Sequence, residues 1–162
     1  MPSLRHFSIL LFLLALVPAI SCAQQPKKLK DLTTISILVE NLEQREIELG
    51  LSAEELKAVS LVALKRDLPN LKIDKSGDGM FYVNVTAARF PGGYAVHVEV
   101  SLDRRVAILR EDNSEATRAL ATVWSQGKVL TGTADGMSSK IYEYIREQVT
   151  ILAADYYQQN KR

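Results

Sequence analysis

Any reaction this chain performs with an imidazole has to pass through His97. Of its two histidines, His6 lies in a leader-like N-terminal stretch, so the processed chain keeps one ring. A multi-histidine metal site within one chain is then impossible, and a Ser-His-Asp arrangement depends on His97 with Asp103 or Glu99. Alternation around it (Ala95, His97, Glu99 against Val96, Val98, Val100) sets His97 on the polar side of a strand. A solvent-facing histidine loosely paired with an acid is the plain reading there, because catalysis needs convergent partners and no spacing places a nucleophile beside it.

Four other patterns bear on chemistry. Asp74, Ser76, Asp78 and Gly79 match the first half of an EF-hand loop, with oxygen ligands at positions one, three and five and glycine at six. Position twelve is Val85 where a bidentate glutamate is needed, and a strand follows instead of a helix, so an ordinary Asp-Gly turn is expected. Gly127-Lys128 lacks phosphate-loop spacing. Glu54 and Glu55 are adjacent, point to different helix faces, and suit a helix first turn better than a glycosidase pair. Asn84-Val85-Thr86 fits a glycosylation sequon, but also the polar edge of a strand. No catalytic residue, metal or cofactor is expected.

An address is easier to read. Arg5, the apolar run Ile9 to Val17, and Pro18 before small residues form an export signal over residues 1–23, too short for a permanent membrane span. Ser21 and Ala23 suit ordinary cleavage before Gln24. Ala19-Ile20-Ser21-Cys22 instead resembles a bacterial lipobox with Ala19 where leucine is preferred, which makes Cys22, the single cysteine, a candidate lipid anchor. Residues 24–32 read as a polar tether and 33–162 as one α+β domain. An exported, periplasmic or outer-membrane-attached protein is expected.

The whole chain of 162 residues has 20 Lys plus Arg against 19 Asp plus Glu. Losing Arg5 with the leader balances the charges, which argues against nucleic-acid binding. The mature length is enough for a core without disulfide or metal staples.

Periodicity supplies the scaffold. Ile35, Ile37 and Val39 alternate in a first strand within Thr33 to Leu42, a pattern that Leu38 blurs. Ser52 and Glu55 form a capping box, Leu51 can staple onto Leu56, and the helix they start carries Leu56, Val59, Ser60, Ala63 and Leu64 until Pro69 stops it. Phe81 to Ala87 and Tyr94 to Leu102 form a hairpin around Pro91-Gly92-Gly93. The even pattern resumes at Val106 and Ile108 after a bulge or bend. Ala116 to Ser125 is a fourth strand, Gln126 to Gly136 a loop, and a long amphipathic helix runs from Ser138. The order β-α-β-β-β-α implies an α+β two-layer sandwich, a four-stranded, mostly antiparallel sheet with two helices on one face.

On that scaffold Tyr94, Tyr144 and Tyr156 fall on core stripes, whereas Tyr82, Tyr142 and Tyr157 do not. With Asn84, Thr86, His97 and Glu99, Tyr82 marks the sheet face opposite the helices as polar, exposed and suited to docking.

The run Gly50 to Lys57, Phe81-Tyr82-Val83-Asn84-Val85, Gly93-Tyr94-Ala95-Val96 and Thr122 to Gly127 resembles a group of short exported bacterial proteins of unknown function. In element order and leader the chain is also similar to the lipopolysaccharide-assembly lipoproteins, which implies an envelope role without a catalytic site. Neither resemblance assigns functional residues. The expected function is a non-catalytic envelope protein that binds or positions a protein or lipid-bearing partner. The alternatives are a small exported hydrolase using His97, and a secreted adaptor or inhibitor that pairs a sheet edge with a partner strand.

Overall fold

The computed structural model describes residues 29–112 and 114–161. The export signal, its cleavage and lipidation readings, and Cys22 lie outside the described residues. The first strand, β1 (Thr34–Val39), sends Ile35 into the core. A short helix, α1 (Gln44–Glu48), precedes α2 (Ala53–Asp67). The Ser52 hydroxyl accepts the Glu55 N–H at 3.2 Å, and Leu51 and Leu56 are both buried, as a staple requires. Ser60 sits in the buried stripe of α2 because its hydroxyl donates to the Leu56 carbonyl at 2.8 Å.

Next come β2 (Lys72–Ile73), β3 (Gly79–Phe90), β4 (Gly93–Leu109), β5 (Glu115–Gly132) and α3 (Met137–Gln159). The α+β class holds, but among the described residues the sheet has five strands, ordered β2-β1-β3-β4-β5, and there are three helices. The sequence periodicity predicts four strands and two helices. β2 and α1 are too short to leave a periodicity signal. While β3, β4 and β5 form an antiparallel meander, β1 is parallel to both of its neighbours. The helices between β1 and β2 carry the chain back to its starting end, and a crossover of that kind yields parallel pairing.

Residues 74–78 form a strap. Ile35 is level with Ile73 on one side and Gly79 on the other, so the chain steps directly across β1 between them. A Cβ on Gly77 would lie 2.5 Å from the Ser36 nitrogen, so only glycine permits that approach. Thr34 Oγ1 accepts the Asp78 N–H at 2.8 Å, and Thr33 Oγ1 donates to Asp78 Oδ2 at 3.1 Å, which fastens the strap.

The β3–β4 hairpin and the single long β4 match the sequence pattern, but the bulge falls on the partner strand: at the Leu102/Asp103 shift Val123 of β5 is the extra residue between Trp124 and Thr122. The expected loop from Gln126 is instead strand as far as Gly132, since main-chain pairing with β4 needs no apolar side chains. The core lies between α2 and α3 and one sheet face, with Phe81, Val83, Val98, Val100 and Leu102 meeting Ile141, Ile145 and Val149. Leu29 and Leu32, placed in the polar tether by sequence, are 1% and 2% exposed. Leu29 N–H donates to Gln159 Oε1 at 2.9 Å, and Asn160 Nδ2 donates to the Leu29 carbonyl at 3.1 Å. Residues 29–32 therefore belong to the domain.

Candidate docking surface on the outer sheet face

Alternation decides which side chains share the face away from the helices. On β3, Phe81, Val83, Val85 and Ala87 turn inward, leaving Tyr82, Asn84 and Thr86 outward. The register puts Tyr82 opposite Ser101, Asn84 opposite Glu99 and Thr86 opposite His97. On the far side of β4, Glu99 faces Gly127 and His97 faces Val129. Tyr82, Asn84, Thr86, His97 and Glu99 are thus brought together in one patch, with Thr86 and His97 exposed and the other three half-buried.

The patch combines a phenol, an amide, a hydroxyl, an imidazole and a carboxylate on one face. Among the described residues the His97 ring makes no hydrogen bond or ion pair. Glu99 is two residues away along β4. Asp103 is six residues along, which at strand rise is about 20 Å, and its Oδ1 accepts from the Thr122 hydroxyl at 2.7 Å. Gly127 gives the imidazole its space, since a Cβ there would sit 3.1 Å from Nε2.

The other aromatics serve elsewhere. Trp124 faces the helices and donates from Nε1 to Asp155 Oδ2 at 3.0 Å. The Tyr142 hydroxyl donates to Glu55 Oε2 at 2.8 Å, and burial followed by Glu55 pushes that phenol up to about 12. Tyr157 packs edge-on against Tyr156, with ring centroids 5.4 Å apart. Tyr94 and Tyr156 are half-buried against the core and Tyr144 is buried.

Asp74 accepts from the Ser76 N–H at 3.2 Å and pairs with Lys72 at 3.1 Å, which together hold its carboxyl below the usual range, the Ser76 bond foremost. The oxygens of the EF-hand-like run thus serve the strap. Among the described residues no three His, Cys, Asp or Glu side chains converge on a metal position.

Two features carry no strong sequence signal. The first is the length of the β4–β5 ribbon. No residue of β5 is buried along its eighteen positions, and no strand pairs its far edge among the described residues. Beyond the Leu102/Asp103 shift the ribbon outruns the helical layer, exposing Ile108 (46%), Leu109 (56%) and Leu120 (59%), while Val129 beside the patch is 60% exposed. Near its end Asp112 Oδ1 accepts from both the N–H and the hydroxyl of Ser114. The second is Glu46, buried in α1, whose Oε1 accepts the Ala87 N–H at 2.5 Å where β1 no longer covers β3. Its Oε2 has no hydrogen-bond partner among the described residues. The acidic stretch Glu43 to Glu48 gives no hint that one of its acids turns inward.

No known family profile matches the sequence, and no curated relative matches it. Among solved structures, the chain is similar at 12% identity to a PelC dodecamer from Paraburkholderia phytofirmans, with 80% of this chain and 88% of that one covered and a TM-score of 0.40. An uncharacterised protein is similar at 13% identity over 79% of this chain and 90% of its own, with a TM-score of 0.36. A minor lipoprotein from Acinetobacter baumannii is similar at 10% identity over 78% and 91%, with a TM-score of 0.24. These are distant likenesses of backbone course. Among the described residues no helix is long and apolar enough to cross a membrane.

Proposed function

We propose that this protein is a non-catalytic exported binding or assembly protein that engages a protein partner through the outer face and free edge of its β4–β5 ribbon. The supporting observation is the bare β5 strand, eighteen residues at the border of the sheet with none buried. Long unprotected edges are templates for strand pairing, and soluble domains ordinarily blunt them. Beside this edge lie the polar patch from Tyr82 to His97 and the exposed Val129, which offer side-chain selectivity next to main-chain pairing. The adaptor alternative is thereby absorbed as the mode of binding. The hydrolase alternative has less support, since Asp103 is out of reach of His97. The envelope setting rests on the leader and on the resemblances in sequence and element order.

Strand alternation makes the proposal testable. Glu46 takes the Ala87 N–H and Glu40 N–H reaches the Val83 carbonyl, so odd-numbered β3 residues bond away from β4. By the antiparallel pattern, odd-numbered residues of β5 from Ser125 to Thr131 then turn their backbone groups to the free edge. Val129→Pro removes one outward donor and spares the internal ladder. A photo-crosslinking residue at position 131 in native envelopes should yield one discrete adduct, absent in the folded Val129→Pro chain and absent from a probe at exposed Glu143 on α3. Equal adducts from both probes, or an adduct that survives the proline, would refute the proposal.

A further inference from the structure

The opposite border of the sheet carries a different kind of site. Because β2 stops after two residues, β1 loses its neighbour beyond Ile35, and the chain does not fill the space that opens beside Ser36 to Val39. There a groove of about 440 Å³ runs between β1, the outer flank of α2 and the strap. Its walls are Ile37, Leu38, Leu61, Ile73 and Met80, and Leu38 is left 46% exposed. Such a volume and an apolar lining fall within the range of small-molecule sites, roughly 300–1,000 Å³.

The rim is not neutral. Lys57 of α2 and Lys75 of the strap border the groove, both are exposed, and neither has an ion-pair partner among the described residues. Asp74, the one acid of the lining, is already engaged by Lys72 and Ser76. An apolar trough edged by two unpaired ammonium groups and no free carboxylate is complementary to a molecule with an apolar chain and an anionic head.

We propose that the groove beside β1 binds a single-chain anionic amphiphile, a free fatty carboxylate, with its chain along Ile37, Leu61 and Met80 and its head on Lys57 and Lys75. The narrow volume suits one chain. This site lies at the far border from β5 and does not depend on the docking role proposed above.

The test is calorimetric titration of the full mature chain with dodecanoate, dodecan-1-ol and dodecyltrimethylammonium, each below its micellar threshold. Dodecanoate should bind with one-to-one stoichiometry, the alcohol more weakly and the ammonium amphiphile not at all. The Lys57→Glu, Lys75→Glu chain, altered at exposed positions that leave folding intact, should lose about tenfold or more in dodecanoate affinity and little toward the alcohol. Leu61→Trp, which fills the trough, should weaken both. Equal binding of all three probes, no binding of dodecanoate, or lysine-dependent binding to anionic vesicles without binding of the monomer would each overturn the proposal. So would a peptide strand that occupies the β1 edge while dodecanoate does not.

Discussion

The Tyr142 hydroxyl of α3 donates to Glu55 Oε2 in the first turn of α2, tying together the two helices that cover the core. In a reciprocal capping box the Glu55 side chain would turn back to Ser52. Here only its N–H does so, and its carboxylate goes to the neighbouring helix. Removing the phenol while keeping the ring, Tyr142→Phe, should cost about 1 kcal/mol in denaturant unfolding.

Burial of the ring, and after it the same bond, give this phenol a pH signature. Tyr142 ionises near 12 in the folded chain, against about 10 when unfolded. A raised folded value means that its stabilising contribution is whole below about pH 10 and is lost as pH climbs through 12. Tyrosinate absorbance on alkaline titration should show one late-ionising phenol that is absent from Tyr142→Phe, and the stability gap between the two chains should close over that window.

Asp67 at the end of α2 shows the opposite sign. Arg66 holds its carboxyl below the usual range, and the Thr150 hydroxyl, donating at 2.7 Å, assists. Its contribution is therefore present above about pH 4 and disappears as pH falls through the depressed folded value. Asp67→Asn should reduce stability at neutral pH and converge with the parent chain under acid, as read by thermal unfolding across pH.

Gly77→Ala should be among the most damaging single-methyl additions in the chain. The new Cβ meets backbone of β1, not a flexible side chain, so either the strap or the strand must move. A loss of about 1–3 kcal/mol is expected from overpacking, whereas alanine at Gly50, whose Cβ would touch nothing, should be strained only by its positive φ of 76°. Comparing unfolding midpoints of the two variants checks this.

Leu32→Ala should behave as a core deletion, costing about 2–5 kcal/mol. A polar tether would tolerate the change without effect, so a measured loss near zero would restore the tether reading of residues 29–32.

Much of the architecture is legible because it repeats at a fixed period: the alternation of Phe81 to Leu102, the capping signal at Ser52, and the stripe from Ile141 to Leu152 each appear where the residues put them. That Tyr82, Asn84, Thr86, His97 and Glu99 share one sheet face is also legible, since it follows from parity alone once β3 and β4 are paired. What escaped has no period to read. β2 is two residues long, the strand character of Gln126 to Gly132 resides in main-chain bonds to β4, and the docking of Leu29 depends on Gln159 and Asn160 at the other end of the chain. Glu46 escaped because composition does not say which glutamate of an acidic run faces a bare N–H.

The strap crossing β1 makes the two borders of the sheet unequal in kind. A foreign strand could displace β1 only after residues 74–78 had been lifted off it, since Gly77 rests on its backbone and Asp78 is bonded to Thr33 and Thr34. Among the described residues β5 has no such latch. β1 is therefore pinned in the sheet by its own chain around Ile35 and Ser36, while beyond that crossing its edge, like the outer margin of the ribbon, is left open among the described residues.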